Sequence, residues 1–145
     1  MSILILGLVI LLAGHSVQMA PAFHARVQGK LGRPVYRGLY SVVAVIGVAL
    51  VIEGFGRYRA EGMIDLWHPP RWTRHVTEAL MLPAAILLMA SYARGRIYRA
   101  VKHPMITAVK LWAVAHLISN GDLGSIILFG TLLAWAVFDR ISLKR

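Results

Sequence analysis

The stretch Lys102–Asp122, KHPMITAVKLWAVAHLISNGD, is apolar enough to enter a bilayer, yet it carries His103, Lys110, Trp112, His116 and an Asn120-Gly121-Asp122 exit. An ionisable side chain placed in a bilayer costs ~2.5–3.5 kcal/mol on insertion scales, so such residues point to function. At 100° per residue the polar groups fall on two faces. His103 and Lys110, seven apart, share one stripe; Trp112, His116 and Asn120, four apart in turn, share the other. A helix with two polar stripes faces protein, ligand or water on both sides, which predicts a central position among other helices.

Composition agrees. The 145 residues are 58% hydrophobic and 15% charged, with a mean hydropathy of +0.65. A soluble domain of this length needs more polar surface than that. The net charge of +10 lies mostly between the apolar runs, as in cytoplasmic loops facing anionic headgroups, so nucleic-acid binding is not expected. With no cysteine, the chain can supply neither a disulfide nor a thiolate ligand.

Outward from the central stretch (104–120), spans are predicted over about 3–19, 38–56, 74–92 and 123–138. The first is expected to be a retained helix rather than a signal peptide, because it lacks a basic leader and contains His15 and Gln18. The connector after it holds His24, Arg26, Lys30, Arg33 and Arg37, and its Leu31-Gly32-Arg33-Pro34 should break any helix there. Tyr36 and Tyr40 read as interfacial anchors. Trp67-His68-Pro69-Pro70-Arg71-Trp72 reads as a loop at headgroup level, and Gly121-Asp122-Leu123-Gly124 as a tight turn. Most Lys and Arg fall in the first and third connectors and at the C-terminal end, which predicts a periplasmic N-terminus. The expected fold is all-α: a single-domain integral membrane bundle of about five transmembrane helices.

By depth, Glu53, His75, Glu78, His116, Asn120 and Asp122 fall toward the outer half, His15 and Lys110 nearer the middle, and His103 at the inner boundary. His75 and Glu78, three apart, share a helix face, so the carboxylate can orient the imidazole. Two readings of the histidines stand on spacing alone. One is a metal or haem site between helices, with imidazoles as axial ligands. The other is interhelical hydrogen bonding. Lys110 either pairs with Glu53 or a cofactor carboxylate, or extends to the interface. Ser16 and Ser41 have no base partner, which argues against a nucleophilic hydrolase.

The ordered set Gly14-His15-Ser16, Leu31-Gly32-Arg33-Pro34-Val35-Tyr36-Arg37, His75, Lys102-His103-Pro104-Met105, Trp112-Ala113-Val114-Ala115-His116, Asn120-Gly121-Asp122 and Phe129-Gly130 resembles the NnrU family of bacterial inner-membrane proteins. Relatives of that family include the plastid ζ-carotene isomerase. The resemblance covers nearly the whole chain. It implies haem b held between two histidines matching His15 and His116; by depth, His75 is the alternative partner of His116. It also implies a redox or isomerase-like role on a hydrophobic substrate entering from the lipid, linked to nitrite and nitric oxide metabolism or to carotenoid isomerisation. The alternative it leaves is a non-catalytic accessory protein of denitrification. This chain has Ala113 where the plant isomerases have a cysteine, so a thiolate ligand switch is not expected. Family members commonly continue beyond the basic stretch at 139–145. A narrower similarity joins His103-Pro104 to membrane methyltransferases of the isoprenylcysteine type, but here only Asp139 and Arg140 stand where those proteins carry further charged residues.

Overall fold

The computed structural model describes residues 1–93 and 95–142, and these form helices and connecting turns without strands. The chain divides into two compact units, Met1–Met63 and Ile64–Arg145.

In the first unit α1 (Ser2–Ser16) continues through a 3-10 turn (Val17–Met19) to α2 (Pro21–Leu31) and α3 (Arg33–Ala60). α1 and α3 pack antiparallel: Leu4 lies against Gly54, Gly7 against Leu50 and Val51, Leu11 against Gly47, and Gly14 beside Val43. The contact is backbone on backbone. A Cβ at Gly54 would fall on the Leu4 backbone, one at Gly7 would sit 2.6 Å from the Val51 nitrogen, and one at Gly47 would sit 2.9 Å from Leu11. At Gly14 the nearest atom is a Val43 methyl at 3.1 Å, so the seam loosens toward that end. Small residues at such seams let helices approach closely in lipid, where apolar burial between helices contributes little.

The connectors are more helical than the sequence suggests. The basic segment after α1 forms α2, started by Pro21 in its first turn. It stops at Gly32, whose φ of +78° suits glycine rather than a residue with a Cβ. α3 then begins, with Pro34 in its first turn. The expected break at 31–34 is therefore present, with helix on both sides. α3 also runs to Ala60, beyond the expected end near Gly56. Its 28 residues extend ~42 Å, against ~30 Å of hydrocarbon, so a helix crossing the core leaves its ends outside it.

The second unit holds α4 (Thr73–Ala93), the short α5 (Arg96–Ala100), α6 (Pro104–Ser119) and α7 (Leu123–Ser142). α6 packs on both α4 and α7. Its seams are lined by alanines, with Ala84, Ala90, Ala108, Ala113, Ala115 and Ala136 all buried. A hydrogen bond crosses one of them: Thr77 Oγ1 donates to the Ala115 carbonyl at 2.9 Å. The segment before α4 clasps the α6–α7 turn. The Leu66 and Trp67 amides donate to the Gly121 carbonyl at 2.8 and 3.2 Å, and the Leu123 amide to the Ile64 carbonyl at 2.9 Å. Asp65 and Asp122 form an isolated antiparallel bridge there. A Cβ at Gly121 would strike the Trp67 carbonyl, so this turn needs glycine for close approach.

Four helical stretches, Ser2–Met19, Arg33–Ala60, Thr73–Ala93 and Leu123–Ser142, are long and apolar enough to cross a membrane; α6 is a shorter apolar helix. Their outward faces keep large apolar side chains exposed, including Val45, Leu82 and Met89. In water such surface would be a liability, and in acyl chains it is at home.

Candidate functional site

His116 sits in the last turn of α6 within an aromatic nest. Its ring stacks flat on Phe129 of α7, with centroids 4.3 Å apart and planes 4° from parallel. Trp112, one turn earlier on α6, meets both rings edge-on, at 5.5 Å from His116 and 5.1 Å from Phe129. Trp112 and His116 share one face, as the wheel predicts, and Asn120, the extended residue that ends α6, reaches back to the same ring. Asn120 caps α6: its amide nitrogen Nδ2 donates to the His116 carbonyl at 2.9 Å and lies 3.4 Å from His116 Nδ1. A carbonyl can only accept, so the carboxamide nitrogen must face it. In this arrangement Nδ1 is the acceptor, and a neutral ring carries its proton on Nε2.

His15 lies in the last turn of α1 and has the opposite tautomer. Its Nδ1 is 2.7 Å from the Leu11 carbonyl, so Nδ1–H donates and the neutral ring has its lone pair on Nε2. That is the form in which an imidazole binds a metal through Nε2, with the other nitrogen tied to a carbonyl. Where the α1–α3 seam loosens, a train of rings fills the space. His15 lies 5.3 Å from Tyr40, Tyr40 lies 6.4 Å from Tyr36, and Tyr36 lies 5.0 Å from His24 of α2. The buried Tyr36 hydroxyl has no hydrogen-bond partner among the described residues. These tyrosines pack beside histidines, and His24 is half-buried. The i,i+4 spacing of Tyr36 and Tyr40 was the available signal for this cluster, as Phe129-Gly130 was for the His116 nest.

The other candidates are placed as follows. His75 Nδ1 lies 3.8 Å from Glu78 Oε2, as their spacing predicts, but both side chains are largely exposed, at 84% and 77%. Thr77 marks the face of α4 that meets α6, and His75, two residues earlier, projects roughly opposite, away from His116. Glu53 pairs with Arg57, one turn along α3, at 2.7 Å. Lys110 is half-buried on α6, and His103 is the N-cap residue of that helix, its carbonyl accepting from Thr107 Oγ1 at 3.0 Å. Asp122 is buried and caps α7, Oδ1 accepting from the Ser125 amide at 2.9 Å. Among the described residues no group of three or more His, Cys, Asp or Glu converges on a metal position. A haem asks less of the protein, since its macrocycle supplies four nitrogens and the chain only one or two axial ligands.

An all-α architecture of bilayer-length apolar helices, with histidines set into two of them, defines a polytopic membrane protein carrying candidate cofactor ligands. A model of the NnrU protein family matches residues 3–145, and the chain belongs to that family. No curated protein and no solved structure matches it.

Proposed function

We propose that this chain is a haem-binding member of the NnrU family, with His15 and His116 as the axial ligands of a b-type haem and a redox or isomerase-like role in nitrite and nitric oxide metabolism or carotenoid isomerisation. The observation that carries the reading is the anchoring of His15: its Nδ1–H is committed to the Leu11 carbonyl at 2.7 Å, the kind of backbone tie that orients an imidazole ligating through Nε2. His116 reaches the same tautomer by giving up its contact with the Asn120 carboxamide nitrogen, which keeps its bond to the His116 carbonyl. Haem held there would supply a one-electron centre and, when ferrous, an iron able to act on a conjugated double bond. The chain's own part is to orient the imidazoles through Leu11, Tyr40, Trp112 and Phe129, and to offer a hydrophobic substrate a route from the lipid.

The family match over residues 3–145 supports treating the chain as one functional domain. The clustering of Lys and Arg between the spans supports a bacterial inner-membrane location with a periplasmic N-terminus. The flat His116–Phe129 stack favours a second reading, in which the histidines hold helices together and the protein is a non-catalytic accessory of denitrification.

Visible spectra of the detergent-purified protein, oxidised and dithionite-reduced, separate the two. The haem reading expects a Soret band that shifts on reduction and is lost in both His15→Ala and His116→Ala, while His75→Ala keeps it. A flat spectrum after haem is supplied would sink that reading and leave the accessory one.

A further inference from the structure

A groove of about 680 Å³ runs along the C-terminal half of α4 and ends against α5. Small residues make it: Ala85, Ala90 and Gly95 leave the space that Met89 and Ile97 border, and among the described residues the lining is apolar apart from Arg96. We propose that this groove binds one anionic glycerophospholipid, an acyl chain lying along α4 and its phosphate meeting Arg96.

Length, chemistry and charge support that occupant. From Ala85 to the end of α4 at Ala93 the helix rises ~12 Å, most of the ~15 Å that one leaflet's acyl region occupies. A tail lying there reaches the headgroup layer as the helix ends, and Arg96 follows directly. Guanidinium is the side chain best suited to grip a phosphate, through paired N–H donors. No Asp or Glu occurs in the sequence between Glu78 and Asp122, whereas Arg96, Arg99 and Lys102 follow one another closely. That connector lacks a local counter-charge, and a lipid phosphate provides one. A compact soluble anion would use the arginine but leave the apolar length idle.

The test is native mass spectrometry of the full chain in detergent, titrated with phosphatidylglycerol or phosphatidylcholine of matched chains, with inorganic phosphate as a third arm. Ala85 and Arg96 are both exposed, so substitutions there leave the helix packing alone. The wild type should form a one-to-one phosphatidylglycerol adduct favoured about fivefold over phosphatidylcholine, the scale expected of one arginine at an anionic headgroup. Arg96→Gln should erase that preference, Arg96→Lys should keep part of it, and Ala85→Phe should weaken both adducts by blocking the tail. The proposal is overturned if Ala85→Phe leaves both adducts unchanged, which means annular lipid only. It is also overturned if Arg96→Gln keeps the preference, or if equimolar inorganic phosphate displaces the lipid.

Discussion

In Met1–Met63 the seam between α1 and α3 is a backbone contact made by glycines, whereas in Ile64–Arg145 α6 meets its neighbours through alanines, a threonine hydrogen bond and stacked rings. The two seams answer the same problem. Lipid is as apolar as leucine, so helices need either close approach or polar contacts to hold together. The glycine seam gains dispersion by removing side chains and has no tolerance for restoring them. Because it opens from Gly54 toward Gly14, its loose end has room for the rings around His15. The alanine seams keep small side chains between the helices, and aromatic rings fit where α6 meets α7. Each candidate ligand thus sits where its unit's packing leaves room for a ring.

The contrast breaks most readily at Gly54. Gly54→Val should cost at least ~3 kcal/mol, the upper range for overpacking, because the new side chain meets the Leu4 backbone and not a flexible neighbour. Gly56→Ala, two residues on with nothing within 4 Å of the added carbon, should be neutral or gain about 0.5–1 kcal/mol. Unfolding titrations in mixed detergent measure both, and equal losses would end the claim of a glycine seam. In the second unit Gly121→Ala should cost about 1–3 kcal/mol by pushing the Trp67 carbonyl away. Hydrogen exchange should then show lost protection at the Leu66, Trp67 and Leu123 amides; unchanged protection would mean the clasp is incidental.

Smaller effects sharpen the picture. Asp122→Ala removes the cap on α7 and should cost ~1 kcal/mol, with Asp122→Asn close to wild type, since asparagine caps about as well. Thr77→Val deletes the hydrogen bond to Ala115 and should cost only ~0.6 kcal/mol, the average for such bonds between membrane helices. A larger loss, by the same unfolding assay, would show that the second unit depends on polar contacts more than its alanines suggest.

The apolar helices were legible in the chain because a bilayer demands a run of apolar residues of set length, and a run can be counted without knowing what it touches. The break at Gly32-Arg33-Pro34, the turn at Asn120-Gly121-Asp122 and the shared face of Trp112 and His116 were legible for a similar reason: each depends on residues within a turn or two of one another. The helicity of Pro21–Leu31 was hidden by its basic character, which speaks of location and not of backbone conformation. Gly7, Gly47 and Gly54 look ordinary in spans where glycine is common, and only the antiparallel register of α1 on α3 makes them one seam. Glu53 found Arg57 on its own helix, Phe129 became the floor beneath His116, and Tyr36 with Tyr40 joined His15 to His24. These partnerships are choices among side chains that local periodicity leaves equally available. Packing distance and rotation settle them, and both belong to the folded helices rather than to any one segment of the chain.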